Sequence, residues 1–141
     1  MNIPELKTDE WIEVLDFYQQ ELLNELLKEH SEEEVLEIWI ATSTPNAMAP
    51  FGGGENKNYL KSFKREINKL LLGDEKYVGV IKEFNEHATV TKFFVVSFLS
   101  NALAKSMGVA AAVIAPLVVL VLGTIGKIGL NAYRDMIKDK V

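Results

Sequence analysis

Two residues with ligand chemistry stand four apart in the chain, Glu83 and His87. On a helix that spacing puts a carboxylate and an imidazole on one face, where they could share a divalent metal. Two such ligands rarely make a site alone, so a solvated or capping histidine is the first reading. His30, beside Ser31 at a helix junction, reads as structural. The Glu-x-x-His pairs of di-metal helical bundles are absent, and no metal or other cofactor is expected.

Other groups invite chemistry and fail its specific tests. The run PFGGGENK, with Pro50, Phe51, Gly52, Gly53 and Gly54, could offer successive backbone N–H groups to an oxyanion. A phosphate loop needs Gly-Lys-Ser/Thr after its spacer and a preceding strand, and neither is present. Glu21, Glu25 and Glu29 form a ladder along one edge of a helix, where acid and base work would require burial to raise one of their pKa values. A solvated face in an acidic region is the better reading. No serine sits in a Gly-x-Ser-x-Gly elbow. Lys57, Lys61, Lys64, Arg65 and Lys69 form a basic stripe beside the apolar face of one helix. Phosphate binding would use such a stripe, but the acidic helices of the same chain compete for it, so a contact within the molecule or between subunits is expected instead.

The elements that must position these groups are helices. Between residues 9 and 29 the apolar side chains Trp11, Ile12, Val14, Leu15, Tyr18, Leu22, Leu23, Leu26 and Leu27 follow a 100° period, with Phe17 alone off the stripe. Thr8 is the expected cap of this helix. Ser31 with Glu34 reads as a capping box opening a second helix to about residue 41. Residues 42–58, TSTPNAMAPFGGGENKN, keep no period and read as one long Pro/Gly loop, either mobile or a contact surface. A third helix runs over 57–72 on Leu60, Phe63, Ile67 and Leu70 or Leu71, and Gly73 stops it. Asp74 caps a short fourth helix with Tyr77, Val80, Ile81 and Phe84. Thr89 or Thr91 opens the fifth, KFFVVSFLSNALAKSM, which Gly108 ends; FFVVSF without a partner strand favours helix over strand. The sixth runs over about 109–138.

Residues 107–126 carry no charged side chain, and about 20 apolar residues can cross a membrane. A chain this size has a radius of gyration of roughly 14 Å, so a helix of about 30 Å also fits through its centre. Five other helices are available to cover it, and their apolar stripes otherwise lack a target. Lys127, Arg134, Lys138 and Lys140 follow the stretch, an arrangement that would keep its carboxyl end inside and export the charged remainder. A buried core helix is therefore preferred to a single span, and both to a soluble form that inserts on activation. Pro116 should kink the helix or make it begin anew near Ala115. Gly123, Gly126 and Gly129 leave one side thin enough for close packing.

The net charge of −5 hides two unlike halves. Up to Glu37 there are twelve acids and two bases; from Glu55 onward there are eight acids and thirteen bases. Such halves can attract each other within one molecule or between copies. With no cysteine there is no disulfide framework and no thiolate site, and the redox compartment is undetermined; with no signal-like start, the expected location is cytoplasmic, or the cytoplasmic membrane if 107–126 spans. The expected fold is all-α: a single-domain bundle of about six helices around a long C-terminal helix. The ending GVAAAVIAPLVVLVLGTIGKIGLNAYR is similar to the close of small bacterial proteins of unassigned function; that resemblance implies a bacterial accessory role and carries over no catalytic residue. The functional expectation is a non-enzymatic interaction module that binds another protein or itself. Pro50, Phe51, Gly52, Gly53, Gly54, Lys61, Lys64 and Arg65 are its expected contacts. A membrane-anchored or membrane-inserting effector is the alternative; nucleic acid is disfavoured, and no small-molecule substrate is indicated.

Overall fold

A computed structural model describes residues 1–43 and 56–138. Its helices are α1 Thr8–Ile12, α2 Phe17–Leu27, α3 Glu32–Ser43, α4 Asn56–Leu72, α5 Val78–Asn85, α6 Lys92–Met107, α7 Ala111–Ile128 and α8 Leu130–Ile137. A 3-10 turn over Glu75–Tyr77 leads into α5. Among the described residues there is no strand, so the all-α class stands.

Several ends follow from local capping. The Glu34 amide donates to Ser31 Oγ at 3.2 Å while the Ser31 amide donates to Glu34 Oε1 at 3.0 Å, the reciprocal pair that opens α3. The Ser31 amide and hydroxyl beside it hold the Glu34 carboxyl below the usual carboxylate range. Asp74 accepts from the Lys76 amide at 2.9 Å, and Thr91 from the Phe94 amide at 3.1 Å. Gly73 and Gly108 take the left-handed conformation that lets α4 and α6 stop.

Among the described residues the helices number eight rather than about six, because two expected helices are each broken in two. The 9–29 helix breaks at residues 13–16, where the Val14 and Leu15 amides donate three residues back and Asp16 is extended ahead of α2. The bend lets Trp11, Ile12 and Leu15 face the core while α2 leaves at a new angle. The 109–138 helix breaks at Gly129, whose φ of 91° and ψ of 147° suit only glycine. Thr8 does not cap α1 either: Lys7 precedes the helix, and the Thr8 hydroxyl donates to Glu32 Oε1 at 3.1 Å. Pro116 does not restart α7, which is continuous from Ala111; the Ala112 carbonyl that proline crowds faces Gln19 Nε2 at 3.5 Å.

The centre of the packing is α7. It rests on α1, α3, α6 and α8, and between residues 114 and 126 every side chain or glycine is buried or half-buried. Its buried residues join one apolar cluster with Trp11, Leu23, Trp39, Phe63, Phe84 and Leu99 among others. Full burial of each such side chain contributes about 1.5 to 3 kcal/mol, so the apolar stripes of the neighbouring helices find their target here.

One side of α7 is covered by the start of α1 and the non-helical chain that leads into it. A methyl group on Gly123 would overlap the Thr8 side chain, and one on Gly126 would overlap the Leu6 carbonyl. Beyond them Glu5 Oε2 accepts from the Leu130 amide at 2.7 Å and so caps α8. Residues 5–8 thus form a strap that runs antiparallel to α7 along its glycines, with Ile3 buried beside it. Glycine is needed at 126 because the Leu6 backbone lies against the helix there, and at 123 because the Thr8 side chain does.

Candidate functional site

Helix α2 is thinly covered. Only Leu23 of its residues is buried, while Leu22, Leu26 and Leu27 are half-buried. Phe17 and Tyr18, at its start, are 73% and 70% exposed. Adjacent exposed aromatic side chains of this size are unusual on a surface that needs no partner. Phe17 is the residue that periodicity left off the stripe. Tyr18 is a correction: the stripe included it, but the turn at 13–16 rotates α2 so that Tyr18 faces outward. Glu21, Glu25 and Glu29 are exposed on the same side, with Glu25 only 3.1 Å from Lys28 Nζ.

The basic stripe of α4 is partly engaged within the molecule. Lys64 pairs with Glu33 of α3, whereas Arg65 turns to Glu66 of its own helix, Nε to Oε2 3.6 Å, and Lys61 is exposed. Lys92 likewise reaches Glu13 at 3.0 Å, and Lys127 reaches Glu32 at 2.5 Å. Pro50, Phe51, Gly52, Gly53 and Gly54 lie outside the described residues.

Two carboxylates have environments that sequence patterns did not single out. Glu66, almost fully buried, accepts from Tyr77 Oη at 2.6 Å and from Lys76 Nζ at 2.5 Å, and Tyr77 Oη also lies 2.9 Å from the Ser106 hydroxyl. Burial pushes the Glu66 carboxyl up, but the bonds from Lys76 and Tyr77 outweigh it and leave the group below its ordinary range. Burial, with the neighbouring Glu66 carboxylate, raises Tyr77. Glu32 lines a cleft of about 720 Å³ with Thr8, Asn24, His30 and Lys127. Its burial is likewise outweighed, here by Lys127 and the Thr8 hydroxyl, and its carboxyl is also lowered. A general base works best with a pKa near the working pH, so both carboxylates have moved in the wrong direction for proton transfer. They act as charge partners that tie α4 to the 3-10 turn, and α3 to α7.

The Glu83 and His87 pair is brought together, but not through its side chains. His87 Nδ1 lies 3.0 Å from the Glu83 carbonyl oxygen, and its ring stacks on Phe94 with centroids 4.2 Å apart. That geometry suits a ring that caps the end of α5. No group of three His, Cys, Asp or Glu placed to hold a metal occurs among the described residues. No protein-family model, curated protein or solved structure matches the chain.

Proposed function

We propose that the chain is a non-enzymatic helical interaction module, cytoplasmic, that presents the outer face of α2 to another protein. The observation that carries this reading is the exposure of Phe17 and Tyr18 side by side on a helix that buries one residue. Interfaces concentrate their binding energy in a few aromatic and arginine side chains, and free surfaces seldom leave two large rings uncovered together. Enzymatic readings draw no support from Glu32 or Glu66, whose carboxyls are held ionised by their partners.

A photo-crosslinking residue at Tyr18, with Glu83 on α5 as the control position, tests the proposal in cells. A discrete crosslinked protein from position 18 that is absent from position 83 is expected. The same pattern from both positions would overturn it.

The alternative is a membrane effector that uses α7, which is long and apolar enough to cross a bilayer. Against it stands the cover over residues 114–126, since a span needs apolar side chains free to meet lipid. Full-length protein should fractionate without detergent. Retention in the membrane pellet after a carbonate wash would favour the effector.

A further inference from the structure

The exposed side of α2 is ordered in a way that names the chemistry of its partner. At 100° per residue, Phe17, Glu21, Glu25 and Tyr18 fall within a sector of about 100° on α2, and Glu29 follows in the turn after Leu27. All five are exposed, and the half-buried Leu22 borders the sector on its core side. Glu21 and Glu25 lie one turn and a fraction apart, about 6 Å along the axis. The two rings stand at the amino end of that row. We infer that this face receives a cationic amphipathic helix of another protein, a reading that rests on the interaction role proposed above.

Charge complementarity selects this occupant. Arginine or lysine at every fourth position of a partner helix repeats the spacing of Glu21 and Glu25. A guanidinium at its end can stack on Tyr18 or Phe17, and an apolar residue between the cations can rest on Leu22. The Lys28 to Glu25 pair on this side is exposed at both ends, so exchange of Lys28 for a partner cation costs little. Phosphate surfaces, whether lipid or nucleic acid, would be repelled by the same carboxylates. A second copy is less suited, because Lys64 and Arg65, from the cationic stripe it would offer, are turned to Glu33 and Glu66.

The test uses the full chain and a synthetic helical peptide of about five turns, with arginine at every fourth position, leucine beside each arginine and a fluorescent label. Anisotropy titration should show binding that weakens as salt rises. Tyr18→Ser, and separately Glu21→Gln with Glu25→Gln and Glu29→Gln, should each lower affinity about tenfold. These side chains are exposed, and unchanged melting would show that the variants fold; peptide-dependent protection of α2 amides from hydrogen exchange supplies a readout in the unaltered protein. Absence of binding, equal binding of a peptide with glutamate in place of arginine, or affinity indifferent to both variants would overturn the inference. So would a dimer of the unaltered protein that Tyr18→Ser dissociates, or binding of anionic vesicles lost in Tyr18→Ser. Crosslinking of a cellular protein from position 18, with no affinity for the cationic peptide, would retain the interaction role and remove this partner.

Discussion

At Gly126 one added methyl group decides whether the strap can lie down. The atom it would meet is the Leu6 carbonyl, which belongs to backbone and cannot swing aside as a side chain could. Gly126→Ala should therefore cost about 2 to 3 kcal/mol, despite alanine's better helix propensity. Gly79, in α5, has nothing within 4 Å of its missing Cβ, so Gly79→Ala should stabilise by about 0.5 to 1 kcal/mol. Opposite shifts of the two melting temperatures would verify the seam; equal gains would deny it. Glu66 gives a pH-dependent case. Its folded carboxyl lies below its unfolded value, near 4.3, so its contribution is complete above that value and is lost as pH falls through the folded one. Glu66→Gln should cost about 1 to 2 kcal/mol near neutrality, with the two stability curves converging in acid. Parallel curves down to pH 3 would show that the charge contributes nothing. Caps at Ser31, Asp74 and Thr91 were legible because each bond spans two or three residues. The Glu66, Tyr77 and Ser106 contacts were not, since they join residues 11 and 29 apart and follow no local period.

Among elements, the breaks were the least visible. A 100° period registers which way side chains point but not whether the axis continues, and Leu130, Tyr133 and Ile137 keep the period of α7 across Gly129. Thinness for packing is one use of this glycine; its φ of 91° also makes it the junction between two helices. Gly129→Val should then cost about 1 to 3 kcal/mol through backbone strain, and circular dichroism should show whether α8 is lost with it. An unchanged stability would mean that the junction tolerates ordinary angles. Asp16, a residue type favoured just before helices, was the available signal for the start of α2. Recognising it would have divided the first stripe and freed Tyr18 to face outward. The apolar character of Ala111–Ile128, by contrast, was legible, and proline in its second turn did not end it, but its stop at Ile128 was not, since the expected helix ran on to 138.

Across the whole molecule, the two charge halves meet. Glu13, Glu32 and Glu33 of the first half hold Lys92, Lys127 and Lys64 of the second, so at least part of the asymmetry is satisfied internally. Lys64→Glu should destabilise by less than about 1 kcal/mol, with a difference that fades as salt rises. A loss that ignores salt would assign Lys64 a packing role. The candidate surface on α2 was only half legible: its carboxylate ladder is plain in the sequence, but the exposure of the rings depends on how α1 and α7 fix the turn before them.

The strap also sets a schedule for synthesis. Glu5 leaves the ribosome long before its partner, because Leu130 is made 125 residues later. At about 5 to 20 residues per second the wait is roughly 6 to 25 s. Through that interval Trp11 and Ile12, fully buried once the chain is complete, have no α7 to cover them and remain available to chaperones or to neighbouring nascent chains. Nascent chains stalled with residue 92 at the exit should leave Trp11 emission water-like and be rapidly digested by protease. Release of the completed chain should shift that emission to the blue in a single step, and a blue-shifted, resistant Trp11 at the earlier stall would show that the strap finds cover without α7.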